Sequence, residues 1–194
     1  MSASTAVTVF PKMPFEEYLR HEQRANQKNE YFYGLVYAMA GGTRNHSLIA
    51  SAAIGALNQA LAGRDCSVYE SNMLIETPNQ SAGFYPALSV RCGSPGGGSQ
   101  RTEDKPSVVV EVLSPSTRAY DLSAKRMEYM LIPSLRHIVF IDSETVEVKV
   151  YSRSDRNTWP NEPAIYSTLD SEFSLDAIGV NLRVSDLYLR TNLA

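Results

Sequence analysis

The feature that most constrains this chain is Pro106 to Tyr129, PSVVVEVLSPSTRAYDLSAKRMEY, where a run of branched apolar residues is interrupted by one acid and then gives way to Ser and Pro. Val108, Val109, Val110, Val112 and Leu113 do not alternate with polar residues, so they read as a strand covered on both faces. β-Branched side chains suit that pleated surface. Glu111 lies inside the run. A carboxylate there costs several kcal/mol to desolvate unless a metal, a cation or hydrogen bonds compensate it. Two readings are open: an acid at the strand's carboxyl end facing an active-site crevice, or a structural glutamate paired with a lysine or backbone amides.

Ser114, Pro115, Ser116 and Thr117 cannot continue a buried strand. Asp121 is placed to cap a helix from about Leu122 to about Leu131, limited by Pro133. Lys125 then falls in the first or second turn, either pointing back toward Glu111 or lying exposed in an i, i+4 pair with Asp121.

Composition bounds the rest. A chain of 194 residues, 43% hydrophobic and 20% charged, is expected to form one soluble globular domain over 1–194, with 1–12 loosely ordered. The net charge of -3 gives no global attraction to a polyanion, so nucleic-acid binding would need a local basic patch or a metal ion. Cys66 and Cys92 stand far apart without metal-ligand spacing and read as two free thiols. No apolar stretch is long enough to span a bilayer, and MSASTAVTVFPKM lacks the apolar core of a secretory signal, so a cytoplasmic protein without membrane association is expected.

In chain order, Pro14 to Arg24 reads as a helix with Glu16 and Glu17 in its first turn and Phe15, Tyr18 and Leu19 inward. EYFYGLVYAMAGG reads as a hairpin around Gly34, with Glu30 at its entrance. A second helix carries Leu48, Ile49, Ala52, Ala53, Ala56, Leu57, Ala60 and Leu61 at helical spacing. Arg44 and His46 lie at its amino-terminal end, where backbone N–H groups favour an anion such as phosphate; a solvated arginine and a capping-region histidine fit the same positions.

Val68 to Ile75 and Phe84 to Val90 read as strands, the latter entered through Pro86, and Ser94 to Gln100 as a flexible connection. RHIVFI and VEVKVY read as a closing hairpin, with Glu147 and Lys149 on its solvent face. A last strand and a short helix from about Val184 follow. This order argues for an α/β domain, bordering on α+β, with a mixed central sheet flanked by helices. No G-x-G-x-x-G, Walker loop or G-x-S-x-G elbow is present.

The segments NEYFYGLVYAMAGGTRNH, FYPALSV, PSVVVEVLSPSTRAYDLSAKRMEY, PSLRHIVFID and VEVKVY together resemble the Uma-type endonucleases of the PD-(D/E)XK restriction-endonuclease-like superfamily. The resemblance runs from about Pro14 to the carboxyl terminus. It implies a metal-dependent DNA endonuclease in which an acid after Pro86, a second acid at Glu111 and a backbone carbonyl hold Mg²⁺ or Mn²⁺. The catalytic lysine is displaced to Lys125, because Leu113 occupies its usual position, and Glu30 is added from the hairpin. Arg44, His46 and Ser114 are the candidate substrate contacts.

The chain departs from the pattern at Ala87, whose methyl group can neither ligate a metal nor accept a proton, so an impaired metal site is expected. The other readings are a non-catalytic module that keeps the fold to bind nucleic acid or protein, and a carbohydrate hydrolase built on Glu111 and Glu30. On the resemblance alone, DNA is the expected partner and a two-fold homodimer the expected assembly.

Overall fold

The computed structural model describes residues 12–39, 41–94 and 96–194. The loosely ordered segment expected over 1–12 therefore lies almost wholly outside the described residues.

Helix α1 (Phe15–Glu22) follows Pro14 and buries Phe15 and Tyr18, with Glu16 and Glu17 beside its positive end. Strands β1 (Asn29–Phe32) and β2 (Leu35–Ala38) form the expected hairpin. Its two turn residues, Tyr33 and Gly34, have φ of 47° and 90°, the pairing whose twist matches two flanking strands. Helix α2 (Arg44–Ala60) is capped by the Thr43 side chain, which accepts from the His46 amide, and buries Ile49, Ala53 and Leu57 along one stripe.

Strands β3 (Cys66–Glu70) and β4 (Leu74–Glu76) replace the single strand expected over Val68–Ile75. A turn closed by the Met73 amide on the Glu70 carbonyl sends them into different sheets. Likewise β5 (Ala82–Phe84) and β6 (Leu88–Cys92) divide the strand expected over Phe84–Val90. Pro86, which has no N–H for a ladder, lies between them. Strands β7 (Thr102–Glu103) and β8 (Val108–Leu113) come next, and all six residues of β8 are buried.

Asp121 does not cap a helix. The chain turns helical earlier, where the Thr117 and Arg118 amides both donate to the Ser114 carbonyl. Helix α3 (Arg118–Tyr120), a π-helical turn (Asp121–Lys125) and helix α4 (Arg126–Met130) then run on as one helical segment. Strands β9 (His137–Asp142) and β10 (Val148–Ser152) form the second expected hairpin, and Lys149 pairs with Glu147. The chain closes with β11 (Ala164–Tyr166), β12 (Glu172–Leu175), β13 (Val180–Arg183) and helix α5 (Val184–Leu187).

The architecture is α/β with mixed sheets and flanking helices, as expected. One sheet has the order β11-β10-β9-β8-β6-β3, a second the order β2-β1-β5-β4-β7, and β12 pairs with β13. Strand β8 runs parallel to β9 and antiparallel to β6. Val108, Val110 and Val112 pack with Ile49, Ala53 and Leu57 of α2, while Val109 and Leu113 pack with Tyr129, Ile132 and Phe84. Near the end of the chain the buried Tyr188 hydroxyl accepts from the Glu147 amide and lies 2.9–3.0 Å from the Asp142, Thr145 and Glu147 carbonyls, closing the β9–β10 turn. No helix among the described residues is long and apolar enough to cross a membrane.

The thiols are not free. Cys66 and Cys92 face each other in register on β3 and β6 and form a disulfide. Topology, which their separation of 26 residues does not reveal, brings them together. Chain-entropy loss over a loop of that length corresponds to about 3.5 kcal/mol. Reduction, or Cys66→Ala with Cys92→Ala, is therefore expected to lower the urea midpoint by an equivalent amount, and an unchanged midpoint would show that the bond constrains nothing.

A second expectation concerns acid stability. His137 is buried, its Nε2 accepts from the Ala177 amide and its Nδ1 lies 3.0 Å from the Ser152 hydroxyl. Burial lowers its pKa from 6.5 to about 4, with Arg136 acting in the same direction and Asp176 against it. Between those pH values the unfolded chain takes a proton that the folded chain refuses. Stability should fall as pH drops through this window, by up to about 3 kcal/mol, relative to His137→Gln. Parallel pH profiles of the two proteins would contradict this.

Candidate functional site

The site forms where the hairpin, the central strand and the helical segment meet. On β8, Glu111 shares a face with Val109 and Leu113, directed toward the helical segment. There its Oε1 accepts from the Tyr129 hydroxyl at 2.8 Å and from Lys125 Nζ at 3.3 Å. On β1, Glu30 accepts from the Tyr85 amide at 3.1 Å and lies 2.8 Å from Lys125 Nζ. Asp121 contributes a third oxygen 3.3 Å from the same nitrogen. All four charged side chains belong to residues no more than 6% exposed.

The rings of Phe84 and Tyr120 lie 5.5 and 5.9 Å from the Lys125 ammonium and flank it with their electron-rich faces. The Tyr120 hydroxyl is buried with no hydrogen-bond partner among the described residues. Burial lowers the pKa of His46, half-buried on the first turn of α2, with the Asp121 charge and the Val112 carbonyl opposing it.

Three carboxylates against one ammonium leave an excess of negative charge in a water-poor space. Burial, with the Asp121 and Glu30 charges, lifts the Glu111 pKa to about 8 against the opposing pull of Lys125 and the Tyr129 hydrogen bond. Burial also raises Glu30, although Lys125 and the Tyr85 amide oppose it. For Lys125, burial works against the charge, yet Glu111, Glu30 and Asp121 outweigh it and push its pKa well above the ordinary value. The lysine thus stays charged, while burial favours the protonated forms of Glu111 and Glu30. Removing one partner of such a group strands buried charge, at a cost of about 3–5 kcal/mol.

The structure brings together Glu30, Glu111 and Lys125, and His46 lies beside them. It does not bring in Arg44, which is exposed on the first turn of α2 with no ion pair among the described residues. The Ser114 hydroxyl lies 3.1 Å from that of Ser116 and 3.0 Å from that of Thr117, in the loop ahead of α3. Of the two sequence readings of Asp121, the i, i+4 partner of Lys125 is found, buried and not exposed, and the helix cap is not. Tyr129 offered an aromatic at helical spacing and nothing more. Glu128, a further buried acid, accepts from the Tyr33 and Ser81 hydroxyls at 3.0 and 2.6 Å and ties the helical segment to the second sheet.

Ala87 is buried with Leu88, Val90, Val110 and Val112. Leu88, the first residue of β6, pairs with Val110, and Ala87 precedes that ladder in a bend with its methyl on the α2 side of the sheet. The residues present do not fit a divalent cation. Position 87 supplies no oxygen, the three acids each turn an oxygen to Lys125, and no group of three or more His, Cys, Asp or Glu among the described residues is placed to hold a metal.

Comparison with known proteins follows this geometry. A crystal structure titled as a putative nuclease belonging to DUF820, from Anabaena variabilis, superposes with a TM-score of 0.73 over 91% of this chain and 97% of that one, at 16% identity, which shows a shared fold. Two uncharacterized proteins of Synechocystis, slr1290 and sll1609, are 35% and 28% identical. The first alignment spans 97% of both chains, and the second 81% of this chain and 90% of its relative. The Uma2 family model, described as "Putative restriction endonuclease", matches residues 15–185, and this protein belongs to that family.

Proposed function

We propose that this protein is a DNA endonuclease of PD-(D/E)XK type whose cleavage is impaired in the present chain by Ala87. The observation that carries the reading is the meeting of Glu111 with Lys125, where Glu30 also arrives from the hairpin. An acid in a fully buried strand, a lysine brought to it from a helix and a second acid from a distant hairpin suit a site for hydrolysing a phosphodiester. DNA is the proposed substrate. Mg²⁺ or Mn²⁺ is the metal such a site uses when complete, and a two-fold homodimer is the proposed assembly for cutting both strands.

A second reading, a nucleic-acid-binding module without catalysis, draws support from the burial of all four charged groups, which keeps them from a phosphate in solution.

The test uses supercoiled and single-stranded DNA with Mg²⁺ or Mn²⁺ and three proteins: the chain as given, Ala87→Asp, and Ala87→Asp with Glu111→Gln. A carboxylate at 87 adds a hard oxygen, and cleavage is expected only in the second protein. Equal inactivity of all three folded proteins would reject the endonuclease reading, and DNA binding retained in that case would favour the module.

A further inference from the structure

We infer that the Lys125 ammonium is the resident cation of this site, taking the place of a divalent ion, so that the chain as it stands neither binds nor needs one. The three carboxylates come from β1, β8 and the π-helical turn. Each nonetheless presents an oxygen to the same nitrogen, at 2.8, 3.3 and 3.3 Å. Buried acids from separate elements converge on one point when a positive charge there offsets their desolvation and mutual repulsion.

The ammonium donates to Glu111, and Glu30 and Asp121 lie within ion-pair distance of the same nitrogen. The aromatic faces of Phe84 and Tyr120 complete the enclosure, a setting that suits an ammonium and offers nothing to a metal that demands about six oxygen ligands. The π-helical turn spans Asp121 to Lys125 and carries two members of the cluster, consistent with the use of such turns at functional sites. Where the family pattern has an acid, the buried methyl of Ala87 adds no further negative charge. The ammonium therefore has three carboxyl groups around it and not four. Replacing Lys125 with an uncharged side chain should turn the same three acids into a divalent-cation site.

The experiment follows thermal unfolding and terbium luminescence, sensitised by the neighbouring tyrosines, with Mn²⁺, Mg²⁺ or Tb³⁺ added to the metal-free protein. The wild type should show no shift in Tm and no terbium emission. Lys125→Met should melt lower without metal, rise by roughly 5–10 °C at about a hundred times the dissociation constant, and sensitise terbium. Lys125→Arg, which keeps the charge, should ignore divalent ions as the wild type does.

A wild-type Tm that climbs with Mn²⁺ and loses that response in Glu111→Gln would overturn the inference. A folded Lys125→Met that answers neither readout would do the same. Should Lys125→Met not fold, Lys125→Met with Glu30→Gln retains Glu111 and Asp121, and its failure to bind terbium would count equally against it. None of these arms reads DNA cleavage, so an inactive Ala87→Asp leaves the inference standing, and a divalent-responsive wild type defeats it whatever the nuclease assay gives.

Discussion

Everything near the centre of this protein depends on one ion cluster: an ammonium from the helical segment held between a carboxylate of the central strand, one of the amino-terminal hairpin and one of its own turn. The apolar faces of β8 could pack without Glu111, and β1 could pair with β2 without Glu30. What neither could do alone is leave a carboxylate in a dry interior. Lysine resolves both problems at once and fixes the relative placement of three elements. Each acid is held by a further donor, the Tyr129 hydroxyl for Glu111 and the Tyr85 amide for Glu30, so the cluster has a defined geometry.

Much of the site was legible in the sequence because buried charge is rare enough to stand out. Glu111 declares itself by interrupting a run of valines, and that interruption together with the family resemblance identifies Lys125 and Glu30 as its partners. Asp121 reads as an i, i+4 partner of Lys125, which holds, and as a helix cap, which fails because the actual start is set by Ser114 three residues ahead of Thr117. Arg44 was singled out by the amino-terminal position of its helix, but a long side chain at an exposed first turn is free to remain in solvent. His46, two residues on, is half-buried and lies close enough to Asp121 for its charge to act on the ring. A helix wheel cannot separate the two without knowing which way the helix rolls on the sheet.

The fold was legible at the level of element type and less so where the chain changes sheets. The Ser71–Met73 turn and the Pro86 break each divide what reads as one apolar run, because periodicity reports burial and not the sheet in which a residue is buried. The Cys66–Cys92 bond follows from the same tertiary fact. Only the pairing of β3 with β6 sets those residues opposite one another, and no spacing motif encodes it.

Tyr188 carries a consequence for the far end of the chain. Its hydroxyl sits among the Asp142, Thr145 and Glu147 carbonyls and takes the Glu147 amide, so a residue close to the carboxyl terminus supplies polar contacts that the β9–β10 turn does not make for itself. Asn45, on the first turn of α2, donates to Ser143 in that same turn and to Asn192 beyond Tyr188. The tail is thus a strap across the rim of the six-stranded sheet. Trimming it back past Tyr188 would unfasten a loop more than forty positions upstream, on the side of the sheet where α2 begins. For this architecture the carboxyl-terminal residues are part of the scaffold, and the places that tolerate shortening or insertion lie elsewhere, in exposed stretches such as Gly96–Gln100.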